Sequence, residues 1–228
     1  MDIENIFPTI KDAHAYLKHR NYASALQVYV DILNDVEEDS EEYSHILLEY
    51  AQCLVENVMH QSEMNYKKIL QTRNPQDEGE IEEDLENCWV CLETCRLHFT
   101  DLNNRSKLAE VYKGLGDVLC LKNCFDEGKL EYLKAIDNCD DDSLTAEILE
   151  CIAECYRNMK MYDDSIGYYK QVVEMYTKLG MNKEAEECMN LIEGLTTLAN
   201  REDEEYESTQ DSDAEPVNIN HLKKSKFM

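Results

Sequence analysis

Two residue types in this sequence could carry chemistry: ten cysteines and forty-nine carboxylates. Cys88 and Cys91 form a CxxC, and Cys120/Cys124 and Cys151/Cys155 lie four apart. Thiols at such spacings can hold zinc or cycle between thiol and disulfide. These pairs, however, fall inside amphipathic helical patterns without the turns that shape zinc knuckles. They read as small buried residues, since a free Cys packs as a small hydrophobe. His14, His19, His45, His60, His98 and His221 show no HExxH or other ligand spacing and read as surface or loosely packed residues. There is no Gly-rich phosphate loop, no GxSxG and no paired Cys/His nucleophile, so no enzyme, metal or cofactor is expected.

The carboxylates carry the stronger signal. They face only twenty-two Lys and Arg, for a net charge of −27 and a pI of about 4.4. Such a surface repels nucleic acid and anionic membrane and steers cations toward itself. The acids cluster in Asp77-Glu78-Gly79-Glu80-Ile81-Glu82-Glu83-Asp84. The helix macrodipole explains the last few of these at a helix start, not the whole run. The first residues carry acids at Asp2 and Glu4 and no long apolar run. Neither a signal peptide nor a membrane span is expected, and the thiols are expected to stay reduced.

Helices must position these groups. Gly (7) and Pro (3) are scarce while Leu, Glu, Lys and Ala recur, which favours an all-α protein. Residues 6 to 19 read as one helix, with Pro8 in its first turn. A second follows with Tyr22, Ala25, Leu26, Tyr29, Ile32 and Leu33 at helical spacing. The same order of small and large residues returns at Leu115-Gly116, Phe125, Gly128, Tyr132, Ala135, and at Ile152-Ala153, Tyr162, Ser165, Tyr169, Val172. Aligning Ala13, Ala51, Gly116 and Ala153 gives spacings of 38, 65 and 37. Two are near the tetratricopeptide period of about 34 residues, and the middle one holds roughly 28 more.

The expected architecture is therefore a tetratricopeptide superhelix of about four hairpins, at 6–39, 44–99, 109–142 and 146–179. The second is interrupted by an insertion at 61–86 that contains the acidic run. That hairpin's first helix, from Ile46-Leu47-Leu48 to Met59, extends past His60 through Met64, Ile69 and Leu70. Gln71 to Gln76 reads as a break, and the acids from Asp77 lead into the second helix. A capping helix at 182–198 covers the last apolar face of the 1–200 array. Small residues mark where the helices of a hairpin cross. Tyr29, Tyr132 and Tyr169 fill the space between units. Cys88, Leu92, Cys95 and Phe99 line one stripe of the helix after the insertion. The single Trp, Trp89, reads as core. Residues 201–228 read as a disordered acidic tail with a short basic end, Lys223, Lys224 and Lys226, that suits an import signal. Ser208 and Ser212 each have an acid three residues on, which suits an acidophilic kinase.

Leu48-Glu49-Tyr50-Ala51-Gln52-Cys53-Leu54, the acidic insertion, and Leu85 to Phe99 resemble the interrupted repeat of the SHNi-TPR histone chaperones, the family of the nuclear autoantigenic sperm protein and its fungal relatives. Cys88, Trp89, Leu92, Cys95 and Phe99 match its second-helix pattern, with Cys where Ala is usual. Lys113 to Val118 and Tyr162 to Ile166 look like its following repeats, so the likeness covers about residues 10–195. The resemblance implies binding of histone H3, alone or with H4, in the nucleus and also the cytoplasm, without catalysis. A homodimer is compatible with it.

Histone-binding carboxylates are then expected in two places. One is the insertion: Asp77, Glu78, Glu80, Glu82, Glu83 and Asp84. The other is the inner groove, which first helices line, at exposed positions Glu56, Glu110, Asp117, Glu147, Glu150 and Glu154. Glu147, Glu150 and Glu154 share one helix face, where like charges cost stability without a cationic partner. A rival reading is a tetratricopeptide adaptor for another basic or chaperone client. A clamp for a chaperone's C-terminal carboxylate needs Lys and Asn in the groove, where this chain has Ile10, His14, Asp117 and Glu154. A third reading, a metal or redox protein, rests on the cysteines alone.

Overall fold

The computed structural model describes residues 3–72 and 78–212, with side chains described for 3–65 and 81–201. Among the described residues the chain is helical throughout, in ten helices. They are α1 (Ile3–Ile6), α2 (Ile10–Lys18), α3 (Tyr22–Asp35), α4 (Glu41–Thr72), α5 (Glu78–Asp101), α6 (Arg105–Leu121), α7 (Phe125–Asn138), α8 (Asp142–Asn158), α9 (Tyr162–Leu179) and α10 (Asn182–Ser212). Each packs on its neighbour in sequence, and α4 also meets α6. The result is a row of antiparallel hairpins, α2–α3, α4–α5, α6–α7 and α8–α9, with α10 laid against α9.

Small residues set the crossings. Ala13 of α2 and Ala25 of α3 are both fully buried in one core cluster. At the α6–α7 crossing, a Cβ added to Gly116 would lie 2.5 Å from Cε1 of Tyr132, and one added to Gly128 would lie 3.2 Å from the Gly116 carbonyl oxygen. No side chain fits between these backbones. At the matching place in α8–α9, Ser165 Oγ donates to the Ala153 carbonyl at 2.8 Å. Cys88, Leu92, Cys95 and Phe99 are fully buried on one stripe of α5, against Leu48, Ala51 and Val55 of α4 and Val111 and Leu115 of α6. Trp89 is half-buried against the same cluster. Tyr29, Tyr132 and Tyr169 are buried.

The turns repeat as the helices do. Arg20, Asn123 and Lys160 take left-handed backbone angles (φ 54°, 61° and 62°) in the turns inside three hairpins. Each is followed by a cap residue, Asn21, Cys124 or Met161, with φ near −90° and ψ of 63–70°. The α4–α5 hairpin joins differently. Its helices continue past the length of the others, α4 to Thr72 and α5 back to Glu78. The insertion is thus largely helix, the extension of both arms of one hairpin.

Three sequence expectations need correction. Residues 6–19 are not one helix: α1 ends at Ile6 and α2 begins at Ile10. Pro8 sits in the turn between them, because it lacks the N–H that a continuous helix needs there. The last helix does not stop at 198, nor does irregular chain begin at 201: α10 runs to Ser212. Residues 213–228, including the basic end, lie outside the described residues, as do the side chains of Ser208 and Ser212. His45 is not on the surface but buried at 6% exposure, edge-on to the Phe99 ring.

Candidate functional site: an acidic hollow along the first helices

The first helices α4, α6 and α8 lie side by side and leave a hollow along one face. Two adjoining cavities occupy it, of about 810 Å³ and 360 Å³. Glu56, Glu110, Asp117 and Glu147 border the larger, together with Gln52, Met59, Lys113 and Asp141. Asp117, Glu147, Glu150 and Glu154 border the smaller, together with Phe125, Tyr132, Cys120, Cys151 and Cys155. The structure therefore brings all six expected groove acids to one hollow. Lys113 is the only cation among the residues bordering the two cavities.

Most of these carboxylates already have partners. Glu110 accepts from Lys107 Nζ at 2.8 Å and from Gln52 Nε2 at 3.3 Å. Glu150 accepts from the Tyr176 hydroxyl at 2.8 Å. Glu154 accepts from the Tyr169 hydroxyl and pairs with Arg157. Glu147 and Glu56 are the exposed members. Glu56 is exposed overall, but the walls of the hollow partly desolvate its carboxyl and push it above the usual range, with Lys113 opposing.

Asp117 departs from expectation: it is buried, at 8% exposure, not an exposed groove position. Its oxygens accept from the Tyr132 hydroxyl at 2.7 Å and from Lys113 Nζ at 3.1 Å. The cause is the crossing next door. Gly116 admits the Tyr132 ring against α6, and the ring's hydroxyl then meets the following residue. Burial works against the Lys113 charge, but Asp117, with Cys151 and Glu147, outweighs it, and the ammonium pKa is raised. Burial and the Asp117 charge likewise raise the Tyr132 phenol strongly. Lys113 and Tyr132 both stay protonated at neutral pH.

In the acidic run, Glu82 and Glu83 are exposed on the early turns of α5. Asp84 is half-buried, and burial and then Glu83 raise its carboxyl pKa. Asp77 lies outside the described residues, and so do the side chains of Glu78 and Glu80. The structure thus places Glu82 to Asp84 on the extended hairpin arm rather than among the residues bordering the hollow.

Sequence reasoning missed Lys113, Asp141 and the tyrosine hydroxyls. Asp141 was legible as a cap: its side chain accepts from the Leu144 N–H at 2.8 Å and starts α8. Tyr132 and Tyr169 were read as fillers and Tyr176 was not singled out, while the Oη atoms of these three bond to three of the groove carboxylates. The ten cysteines are all free thiols, and none is exposed. Among the described residues, no three or more His, Cys, Asp or Glu are arranged to hold a metal ion. No described helix is long and apolar enough to cross a membrane.

No family model matches the sequence, and no curated protein matches it. Solved structures do. A Podosopora anserina protein described as a kinesin light chain with nearly identical TPR-like repeats superposes with a TM-score of 0.53 at 10% identity, over 88% of this chain and 100% of that one. A single-substitution variant of the same protein gives 0.53 and 10% over 88% and 99%. At that identity the likeness is one of fold: the chain is an all-helical stack of TPR-like repeats. The stack leaves an acidic hollow along its first helices.

Proposed function

We propose that this TPR-like stack is a histone chaperone. It holds histone H3, alone or with H4, through its acidic hollow and the acidic start of α5, for storage, transport or chromatin assembly in the nucleus and also the cytoplasm. It acts without catalysis. The observation that carries the reading is the convergence of Glu56, Glu110, Glu147, Glu150 and Glu154 on one hollow, where Lys113 is the one cation among the described residues lining its two cavities. The resemblance of the interrupted second repeat to the SHNi-TPR family supports it, and so does the extension of α4 and α5 at the place where that family carries its acidic insertion.

The chemistry suits capture with release. Exposed ion pairs are worth about 0–1 kcal/mol each, so several must act together to hold a basic client. Each is weak enough to yield to DNA. Glu56 and Glu147 are exposed and offer charge to a client. Glu110 and Glu154 already share theirs with Lys107 and Arg157 at the rim. Asp117 serves as the internal anchor of Lys113 and Tyr132, and is not a client contact.

The test is capture of purified core histones across a salt series. Reversing Asp77, Glu78, Glu80, Glu82, Glu83 and Asp84 to Lys should abolish capture at physiological salt. Capture equal to wild type at every salt would remove the insertion from the binding surface. The double variant Glu56→Gln, Glu147→Gln should weaken capture about tenfold and flatten its salt dependence, because surface charge is screened within about 8 Å at physiological salt. Equal capture of an unrelated basic protein would leave an acidic interaction module and remove the histone assignment.

A further inference from the structure

The third and fourth repeats meet at a thiol pair that takes no part in the charge of the hollow. Cys120 near the end of α6 and Cys155 near the end of α8 bring their sulfur atoms to 3.3 Å, within hydrogen-bonding reach for thiols. A disulfide needs about 2.05 Å, a further approach of about 1.3 Å. The Cys120 sulfur sits over Gly128, where an added Cβ would lie only 2.8 Å from it. Both sulfurs border the 360 Å³ cavity, as does Cys151. Cys120 is half-buried and open to a small oxidant, while Cys155 is 1% exposed behind it.

The two thiols are not equivalent. The hydrogen bond from Cys155 lowers the Cys120 pKa, with burial opposing and Tyr132 assisting. The same contact, then burial, raises Cys155. Burial pushes Cys53, Cys88, Cys95 and Cys151 up to about 12. Cys120 is thus the groove thiol that ionises most readily, and the thiolate is the nucleophile.

We infer that Cys120 and Cys155 form a reversible disulfide when the protein meets hydrogen peroxide, cross-linking α6 to α8 along the hollow. The Cys120 thiolate attacks one peroxide oxygen and the O–O bond breaks. The departing hydroxide takes a proton and leaves as water, and Cys120 becomes a sulfenic acid. Cys155 then gives up its proton and its sulfur attacks Cys120. The S–S bond forms, the S–O bond breaks, and a second water leaves. Two thiols lose two electrons, and one peroxide gains them. A dithiol reductant reverses the step by exchange. The cross-link fixes the spacing between the helix that carries Asp117 and the helix that carries Glu147, Glu150 and Glu154. Oxidation would therefore set the width of the hollow.

The test treats the full chain with a few equivalents of hydrogen peroxide and follows free thiols and intact mass. Wild type should lose two thiols and about 2 Da, recovered with dithiothreitol, with fragmentation placing the link at Cys120–Cys155. Cys120→Ser and Cys155→Ser should each abolish this fast, reversible loss, and Cys151→Ser should retain it. Oxidised wild type should melt several degrees higher than reduced, with no such shift in Cys120→Ser. A link through Cys151, equal thiol loss in Cys120→Ser, or no two-thiol loss in wild type would overturn the proposal. Circular dichroism of the reduced variants checks that each retains the helical stack before its thiol loss is compared.

Discussion

Asp117 shows how a single carboxylate can be charged, buried and stable. Tyr132 and Lys113 each give it a hydrogen bond, at 2.7 and 3.1 Å. Removing one donor leaves a buried anion short of a partner, which costs about 1–3 kcal/mol. Tyr132→Phe should lose that much in urea denaturation, while Tyr162→Phe, in a half-buried ring that borders neither cavity, should stay within about 0.5 kcal/mol. Glu56 and Asp84 predict a pH dependence. Burial raises both carboxyls, so the folded protein binds their protons more tightly than the unfolded chain does. Unfolding releases protons between the two pKa values, and stability falls as pH rises through that window. Acidification from pH 7 toward about pH 5 should therefore raise the urea midpoint, since model carboxyls titrate near 4. Glu56→Gln should reduce that gain, and a midpoint that falls over this range would contradict the burial account.

At the scale of elements, the crossings were the legible part. Ala13, Ala25, Gly116, Gly128, Ala153 and Ser165 can be picked from the sequence because nothing larger fits where two helices touch. Gly116→Ala should destabilise by about 1–3 kcal/mol through overpacking on Tyr132, even though Ala is the better helix former by about 1 kcal/mol. A stability gain in thermal melts would mean that the Tyr132 ring swings aside freely. Other features were less legible. Helical projection gives the direction of Asp117 but not its depth, because depth depends on how closely Tyr132 approaches from α7. The extension of α4 and α5 was legible in part: Met64, Ile69 and Leu70 carry the helical pattern past His60, but the charged stretch after the break has no apolar periodicity and so no packing signal. Yet the backbone continues as helix to Thr72 and resumes at Glu78. Pro8 was compatible with a first turn and with a break, and only the docking of Ile3 beside Ile10, Ala13 and Ile46 decides for the break.

Over the whole molecule, stability is distributed as in a linear stack, where each hairpin rests on its neighbours. The last hairpin is closed by α10, whose Ala185, Cys188 and Leu195 are buried with Tyr169, Val172 and Tyr176 of α9. Leu195→Ala should cost about 2–3 kcal/mol, whereas Leu198→Ala, 42% exposed on the same helix, should change little. Similar losses at both sites would mean that α10 does not cap the stack. Charge is distributed less evenly than apolar contact. The chain carries −27 overall, yet Lys113 stands among the carboxylates of the hollow and is held there by Asp117. Lys113 thus makes the empty hollow an ion exchanger supplied with its own counter-cation. Any cation that enters the hollow meets carboxylates whose charge the tethered ammonium already offsets in part, not bare negative charge.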